Sequence, residues 1–411
     1  MGEHFDSLET RAPEIREREQ FVELRRQIAN AKANAPYFSQ LLADFDPEKI
    51  VDRVALAKLP VTRKSSLIEL QQKDQPFGGM LAVPLGLLAR IFQSPGPIND
   101  PEGDRPNYWR TARAQFAVGI RKGDVVLNGL AYHMSPGGRI MESGLRALGC
   151  AVIPGGVGQS EMQAQMGASV RPSAYTGTPS FLKIILDKAD DMGLDASSIK
   201  RAVVSGEALP PSLRAEFKSR GVDVYQCYAI GDFGVLAYES SALEGMIIDE
   251  GVFVEIVRPG TGDPVEEGEV GEVVVTNLAP EYPLIRFATG DLSAALPGAS
   301  PCGRTNMRIK GWMGRADQTT KVKGMFVHPE QVAAIVSRHP EIKRARLVVE
   351  NPGGSDLMTL KCETLSGSDG LFEAIGNTIQ ALTKLRGHIC FVEPGTLPND
   401  GKVIEDIRKY E

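Results

Sequence analysis

Hydrophobic residues along this chain follow two different periods. Between residues 108 and 227, short apolar runs alternate with amphipathic segments. Short apolar strands interleaved with helices indicate a largely parallel sheet that is covered by helices on both faces. The predicted strands begin at Asp124, Ala151, Ala174, Arg201 and Asp223, and the predicted helices begin at Tyr108, Gly138, Ser160, Pro179 and Pro211.

The regions on either side of this alternation follow other patterns. Residues 12–45 carry apolar side chains near helical spacing and predict a helix that Pro36 interrupts. We then expect an extended segment from Leu59, followed by a helix capped near Thr62, and a strand over residues 89–93. The segment 94–106 contains four prolines, so we predict no regular structure there. From Gly251 apolar residues fall on alternate positions, which predicts an antiparallel β section.

The stretch from Gly311 to Gly324 separates these regions from a module with its own hydrophobic rhythm. Its glycines, lysines, arginine and aspartate make it too polar and flexible for a core strand over its whole length. Beyond it, the pattern predicts helices over 329–338 and 370–385 and strands beginning at 344, 357 and 388. We therefore predict an α/β fold. A large N-terminal body over 1–314 would combine mixed and parallel sheets, helices and a β section, and 315–411 would form a small α+β lid.

Composition narrows the class of protein. The 411 residues are 42% hydrophobic and 24% charged, with a net charge of −6, which argues against nucleic acid or an anionic membrane as a partner. No run approaches 18 apolar residues, and the acidic start of the chain does not resemble a signal peptide. The five cysteines are scattered without metal-ligand spacing, so we expect reduced thiols and a cytoplasmic protein.

Polar clusters at predicted strand ends carry the candidate chemistry. The chain lacks the phosphate-binding, dinucleotide-binding, zinc-protease and nucleophile-elbow motifs that are recognisable from sequence. Ligands of α/β proteins usually lie at the carboxyl ends of parallel strands. Each cluster alone is more often a turn, but their order along the chain is informative. They are Tyr132–Met134, Ser205–Ala208, Tyr228–Asp232, Arg286–Asp291, Gly314–Asp317 and Asn399–Val403.

Together these clusters resemble the adenylate-forming acyl-CoA ligases, and within them the phenylacetate–CoA ligase branch. The likeness extends over nearly the whole chain. It is carried by Ala33-Asn-Ala-Pro-Tyr-Phe, Leu59-Pro-Val-Thr-Arg-Lys, Pro76-Phe-Gly-Gly, Thr178-Pro-Ser, Pro283-Leu-Ile-Arg-Phe-Ala-Thr-Gly-Asp, Pro301-Cys-Gly-Arg-Thr, Gly314-Arg-Ala-Asp and Gly401-Lys. The resemblance implies an enzyme that activates a small carboxylic acid of the aromatic class with ATP and Mg²⁺ to an acyl-AMP. The acyl group would then pass to coenzyme A.

The resemblance also implies a role for residues that match the family's nucleotide-binding positions. Asp291 would accept hydrogen bonds from both ribose hydroxyls, a task suited to a carboxylate with two oxygens. Arg315 would steady the nucleotide. The remaining implied positions are Ser205, Gly206 and Glu207 at the adenine-binding turn, Tyr228, and Asp232 as the carboxylate for magnesium.

Other implied positions belong to catalysis and to the binding of the carboxylic acid and coenzyme A. Lys402 would be the mobile catalytic lysine, because an ammonium group stabilises the charge that builds up when a carboxylate attacks a phosphate. Asp317 would be the hinge of the lid, and Lys323 would meet coenzyme A. The acyl pocket would be lined by Tyr132, His133 and Met134.

Three departures from the family pattern bear on function. The segment after Ser94 has prolines and carboxylates where the family has a phosphate-binding loop, and prolines remove amide donors. Gly231 lacks a hydroxyl, and Asp232 is shorter than the usual glutamate. Cys302 has no partners for a zinc site, so we expect no structural zinc. Two alternatives stay open: an adenylase that does not use coenzyme A, and a non-catalytic relative that binds nucleotide or acyl groups. Whether the protein forms a homodimer is also left open.

Overall fold

The computed structural model describes residues 3–94, 97–258, 262–316, 320–322, 325–352, 356–398 and 402–408. The chain divides into two compact units, Met1–Met313 and Gly314–Glu411. The helices of the first unit are α1 Pro13–Asn34, α2 Pro36–Leu41, α3 Arg53–Ala57, α4 Leu67–Lys73, α5 Thr111–Ala117, α6 Gly137–Leu148, α7 Ser160–Val170, α8 Pro179–Asp191 and α9 Pro211–Ser219. Its strands are β1 Thr62–Arg63, β2 Leu88–Ser94, β3 Ile98–Gly103, β4 Val125–Asn128, β5 Ala151–Pro154, β6 Ala174–Gly177, β7 Arg201–Val204, β8 Asp223–Ile230, β9 Gly234–Tyr238, β10 Met246–Ile248, β11 Val252–Val257, β12 Val270–Asn277, β13 Phe287–Leu296 and β14 Arg308–Ile309.

The predicted parallel layer is confirmed. Strands β8, β7, β6, β4 and β5 lie side by side in that order, and every pair runs parallel. Helices α6 to α9 connect or follow these strands, as the alternation predicted. The register pairs Gly177 with Val204 and Val204 with Gln226, so the segments after β6, β7 and β8 leave the sheet at one edge.

The antiparallel β section is also confirmed, and it continues the same sheet. Strands β11, β12 and β13 pair antiparallel, and β14, β10 and β9 link them to β8. Strand β8 is therefore the boundary, because it runs parallel to β7 and antiparallel to β9. A point where strand direction changes in an α/β sheet is a common place for a ligand cleft.

The segment with four prolines is a correction to the sequence analysis. Instead of irregular structure, β3 pairs antiparallel with β2, and Pro101 stands opposite Ile91. A two-stranded ribbon consists of edge strands, and an edge strand tolerates a residue without an N–H group when that position faces away from the partner's acceptors. The prolines therefore do not prevent the hairpin.

Helix starts follow local capping chemistry, with one prediction wrong. Thr178 caps α8, since its hydroxyl accepts a hydrogen bond from the Phe181 amide at 3.3 Å and Pro179 follows at the first helical position. Thr62 does not cap a helix. It lies in β1, which pairs parallel with β13, and α4 starts five residues later at Leu67. Pairing with a distant strand overrode the local capping signal.

The main core of the first unit lies between the N-terminal helices and the antiparallel strands. Leu24 and Ile28 of α1 are fully buried in it, and Phe21 meets Phe253 of β11 edge to face at 5.3 Å between ring centroids. Burying an aromatic or aliphatic side chain of this size stabilises the fold by about 1.5–3 kcal/mol. The helical N-terminal segment thereby fixes the β section that carries Asp291.

The second unit contains the predicted helices and strands in the predicted order, together with three short strands that were not predicted. Its helices are α10 Pro329–Arg338 and α11 Asp369–Thr383, and its strands are β15 Thr320–Val322, β16 Met325–Val327, β17 Arg344–Glu350, β18 Leu357–Glu363, β19 His388–Val392 and β20 Ile404–Asp406. Strands β19, β18, β17 and β20 form one sheet in that order, and β15 pairs with β16. The predicted α/β class with a small α+β module is confirmed. Within the described ranges, no helix has the length and apolar character needed to cross a membrane.

Candidate active site

A cleft of about 540 Å³ opens in the first unit where the sheet changes direction. Residues that follow β7, residues on β8 and β13, and residues that follow β14 all reach it. Five residues from the predicted nucleotide site meet there although they are far apart in sequence: Ser205, Gly206, Glu207, Tyr228 and Asp291. The other lining residues are Ala208, Leu209, Gln226, Cys227, Ala229, Ile230, Glu239, Leu243, Gly245, Met246, Lys310, Gly311 and Trp312.

Asp291 reaches the cleft because β13 is irregular at that point. The pairing of β12 with β13 shifts register between Glu272 and Val274, opposite the Thr289-Gly290-Asp291 segment of β13. Gly290 has φ of +78°, which a residue with a side chain adopts only with strain. A bulge bends a strand and re-aims its side chains. The Thr-Gly-Asp sequence therefore encodes an irregularity that directs a carboxylate out of the sheet.

Both carboxylate oxygens of Asp291 accept hydrogen bonds inside the cleft. The Tyr228 hydroxyl donates to Oδ2 at 2.7 Å, and the Trp312 indole N–H donates to Oδ1 at 3.0 Å. The Asp291 amide donates to the Thr289 hydroxyl at 3.1 Å. Asp291 is mostly buried, with 7% of its surface exposed. The carboxylate is thus held by two side chains, Tyr228 of β8 and Trp312 after β14, which come from separate segments of the chain.

The turn after β7 forms a second wall of the cleft. The Ser205 amide bonds the Gly177 carbonyl at 3.0 Å, which ties the end of β7 to the end of β6. Gly206 has φ of +82°, so a side chain at this position would be strained. Gly206 and Glu207 are exposed to the cleft. A flat ring can approach such a bare backbone closely. The role of this turn in binding adenine stays a prediction.

Asp232 lies just beyond the end of β8, in a buried group of charges. Its Oδ2 forms an ion pair with the Lys64 ammonium. Asp100 of β3 is close by and fully buried. Burial, and after it the negative charge of Asp232, raise the pKa of Asp100 to about 7, while Ser94 and Lys64 oppose the shift. Neither Asp100 oxygen, nor Oδ1 of Asp232, has a hydrogen-bond partner of normal geometry among the described residues.

The predicted acyl-pocket residues lie in the loop between β4 and α6. The Tyr132 hydroxyl accepts a hydrogen bond from the Asn128 side chain at 2.7 Å, and burial raises the pKa of Tyr132. His133 and Met134 are exposed, and the Met134 carbonyl accepts from the Gln93 amide of β2 at 2.9 Å. None of the three lines the cleft around Asp291, so their role in acyl binding stays a prediction.

The predicted residues of the second unit divide into two groups. Arg315 and Lys402 are both exposed side chains. Asp317 and Lys323, predicted as hinge and coenzyme A contact, lie outside the described residues. Their roles stay predictions.

Glu239, which lines the cleft, and Cys302, which was considered as a zinc ligand, both form other interactions. Glu239 receives two hydrogen bonds from Arg214, at 2.8 and 2.9 Å, and one from the Gln226 amide at 2.7 Å. The Cys302 sulfur lies 3.1 Å from the Ser300 hydroxyl and 3.6 Å from an Arg304 nitrogen. Across the described part of the chain, no three His, Cys, Asp or Glu residues are grouped so as to hold a metal ion.

Three residues of this region were not predicted from the sequence. Trp312 and Lys310 line the cleft, and Lys64 pairs with Asp232. Lys64 belongs to the Leu59-Pro-Val-Thr-Arg-Lys motif and Trp312 directly precedes Met313-Gly-Arg-Ala-Asp. The available signal was that Lys64 and Trp312 lie in or beside recognised motifs. Their partners could not be inferred, because Asp232 is 168 residues from Lys64 and Asp291 is 21 residues from Trp312.

Comparison with known proteins first establishes the class of protein that this fold and cleft define. The family model described as AMP-binding enzyme matches residues 107–279, the part of the chain that contains the parallel strands and the adenine-turn candidates. A solved structure of 2-hydroxyisobutyryl-CoA ligase, in complex with 2-HIB-AMP and CoA, superposes with a TM-score of 0.74. It covers 99% of this chain and 93% of its own, and at 22% identity it shows the shared fold.

Curated relatives define the family. Phenylacetate-coenzyme A ligase of Aromatoleum evansii is 31% identical over 362 residues, which are 84% of this chain and 80% of that protein. The enzyme of the same name from Thermus thermophilus is 31% identical over 374 residues, 87% of this chain and 82% of that protein. The Escherichia coli enzyme is 28% identical over 425 aligned positions, 97% and 95% of the two chains. The chain belongs to the phenylacetate-coenzyme A ligase family of AMP-binding enzymes.

Proposed function

We propose that the protein is an AMP-forming acid–thiol ligase for a small carboxylic acid. In the first half-reaction, a carboxylate oxygen attacks the α-phosphorus of ATP, and the bond to pyrophosphate breaks. In the second, the thiol sulfur of coenzyme A attacks the acyl carbon, loses its proton, and AMP leaves. The observation that carries this proposal is the cleft in which Asp291, Tyr228 and the 205–207 turn meet, in a chain of this family.

Nucleotide binding follows from the chemistry of the cleft. The Asp291 carboxylate, which Tyr228 and Trp312 hold in place, has two acceptor oxygens that suit the two ribose hydroxyls. The exposed backbone at Gly206 suits an adenine ring, with Ser205 and Glu207 beside it. Because these groups are held by strands β7, β8 and β13, little reorganisation is needed when nucleotide binds.

Magnesium is the metal that the proposed reaction requires. The donor chemistry at Asp232 fits it, since Oδ1 is a buried carboxylate oxygen without a hydrogen-bond partner among the described residues and Mg²⁺ prefers oxygen ligands. We assign the ion to Asp232. When bound, it would neutralise charge on the triphosphate. Lys64, which pairs with the same carboxylate, holds the side chain in position.

The second unit supplies the catalytic cation. Lys402 is an exposed lysine whose ammonium could bridge the attacking carboxylate and the α-phosphate, two anions that otherwise repel each other. In this proposal residues 315–411 act as a mobile lid with Asp317 as hinge, Arg315 steadies the nucleotide, and Lys323 meets coenzyme A. Each of these roles is assigned from the family match of its motif.

We assign the acid to the small aromatic class. The relatives at 31% identity bear the name phenylacetate-coenzyme A ligase, and Tyr132, His133 and Met134 are our candidates for its pocket. The Tyr132 ring would offer an edge or a face to an aryl group, at an energy of about 0.5–1.5 kcal/mol beyond simple burial. The five free thiols fit a reducing compartment, and we place the reaction in the cytoplasm.

The test is product analysis with a panel of acids. The protein is incubated with ATP, Mg²⁺, coenzyme A and either arylacetic, benzoic or short-chain aliphatic acids, and acyl-CoA and AMP are measured by mass spectrometry. We expect equal amounts of AMP and thioester with an arylacetic acid, and loss of both in Asp291→Ala. AMP without thioester would favour an adenylase that does not use coenzyme A. Nucleotide binding without any product would favour a non-catalytic relative.

A further inference from the structure

Trp312 has an unusual combination of exposure and bonding. Its side chain is 57% exposed, although tryptophan is one of the largest hydrophobic residues. The polar end of the same ring reaches inward, where the N–H donates to Oδ1 of the mostly buried Asp291 at 3.0 Å. The ring also lines the cleft. A large apolar ring that stays in solvent while its N–H bonds a carboxylate suggests a role beyond packing.

The backbone on both sides of Trp312 is fixed to β13. The Lys310 amide donates to the Ala294 carbonyl at 3.0 Å, and the Met313 amide donates to the Leu292 carbonyl at 2.9 Å. The Ser293 hydroxyl donates to the Gly311 carbonyl at 2.7 Å. Segment 310–313 is therefore bonded to the strand that carries Asp291. The position of the indole is set by the same element that sets the position of the carboxylate.

Tyr228 and Trp312 bind different oxygens of the carboxylate. Tyr228 donates to Oδ2 and Trp312 to Oδ1, so the carboxyl group cannot rotate without breaking these bonds. A carboxylate that accepts from two adjacent ribose hydroxyls must present its oxygens in one fixed orientation.

We propose that Trp312 is a positioning residue for ribose recognition. Its indole N–H fixes the rotation of the Asp291 carboxylate, so that the carboxylate meets the 2′- and 3′-hydroxyls in one orientation. This inference rests on the proposed function, because it assumes that Asp291 binds ribose. It adds a residue outside the matched motifs and predicts a particular sensitivity to the sugar rather than to the base.

The test is Trp312→Phe, which keeps an aromatic ring and removes the N–H group. We expect the KM for ATP to rise by about tenfold, since hydrogen bonds to charged groups are among the stronger ones. The preference for ATP over 2′-deoxy-ATP should fall at least about threefold, because the loss concerns the groups that the deoxy sugar already lacks. This ratio does not depend on the fraction of folded enzyme. Leu243→Ala, at another exposed lining residue, should leave the ratio unchanged.

Two results would overturn the inference. If Trp312→Phe weakens both nucleotides equally, the ring serves as a contact surface alone. If the variant binds ATP more tightly, the indole competes with ribose instead of preparing its site. Failure of the proposed function has a different signature: Asp291→Ala would then leave nucleotide binding unchanged, whatever Trp312→Phe does.

Discussion

The Tyr228 hydroxyl donates a hydrogen bond of 2.7 Å to Oδ2 of Asp291, across 63 residues of sequence. This bond joins β8, where the sheet changes direction, to the bulge of β13. Two irregular features of one sheet thus meet at the candidate ribose-binding carboxylate. The site depends on the sheet topology as much as on the identity of its residues.

Removing this hydroxyl should weaken nucleotide binding. For Tyr228→Phe we expect a threefold to tenfold loss of AMP affinity, about the effect of one hydrogen bond to a charged acceptor. Isothermal titration calorimetry with AMP measures it. Tyr225→Phe on the same strand, at a residue that does not line the cleft, is the matched control. An unchanged affinity in Tyr228→Phe would contradict the assigned site.

Arg286 lies in the same motif as Asp291 but has a structural task. Its guanidinium bonds both oxygens of Glu255, at 3.0 and 3.1 Å, and the carbonyls of Ala57, Leu59 and Gly262. It is 1% exposed. The residue therefore ties the N-terminal segment and the turn after β11 to the start of β13.

We predict that Arg286→Met lowers the free energy of unfolding by about 3–5 kcal/mol, because Glu255 would be left charged and buried without its partner. Urea unfolding followed by circular dichroism measures the change. Arg258→Met is the control, since Arg258 forms an exposed pair with Glu269 at 3.9 Å and should cost less than about 1 kcal/mol. Equal unfolding midpoints for the two variants would refute the structural role.

Asp100 should make stability depend on pH. Its pKa is raised to about 7, so between about pH 4 and 7 the folded state binds a proton that the unfolded state does not, and stability falls as pH rises through this window. The groups that face it are Asp232, Lys64 and Tyr282. Above pH 7 the charged, buried carboxylate is destabilising.

Asp100→Asn removes this charge. We expect the variant to be more stable than the parent above pH 7, by on the order of 2–4 kcal/mol, with the difference shrinking towards pH 4 to 5. Thermal unfolding midpoints between pH 4.5 and 8 give the profile. Asp104→Asn, at an exposed residue just after β3, should show no such trend. A difference that is constant with pH would show that Asp100 is not the titrating group.

The sequence predicted what depends on local patterns. Strands such as Ala174–Gly177 and helices such as Pro179–Asp191 begin where the apolar runs and capping residues indicated. The β2–β3 hairpin was missed because the cost of a proline depends on which edge of a strand it faces, and that is a tertiary property. Thr62 was misread for the same reason, since its strand partner lies at Phe287.

The candidate site shows the same limit. Motifs that resemble those of the family supplied Ser205, Tyr228 and Asp291. They could not supply Trp312, whose only sequence signal is a place before Gly314-Arg-Ala-Asp. The direction of Asp291 depends on a bulge between β12 and β13 that no local pattern reveals.

Lys402 should separate the two half-reactions. We predict that Lys402→Ala slows acyl-AMP formation by about a hundredfold to a thousandfold, because the charge of the transition state loses its cation. Thioester formation from supplied acyl-AMP should change by less than about threefold, since that step no longer joins two anions. Rapid-quench assays of each half-reaction measure both effects. Lys343→Ala, at another exposed lysine of the second unit, is the control, and an equal loss of both steps in Lys402→Ala would refute the assignment.

The central claim is that this chain activates a carboxylic acid by adenylation, and acid-dependent exchange of labelled pyrophosphate into ATP tests it most directly. The assay needs neither coenzyme A nor knowledge of the natural acceptor. We expect exchange with an arylacetic acid, little exchange without acid, and none in Asp291→Ala. A protein that binds AMP but supports no exchange with any aryl, benzoic or short-chain acid would contradict the account.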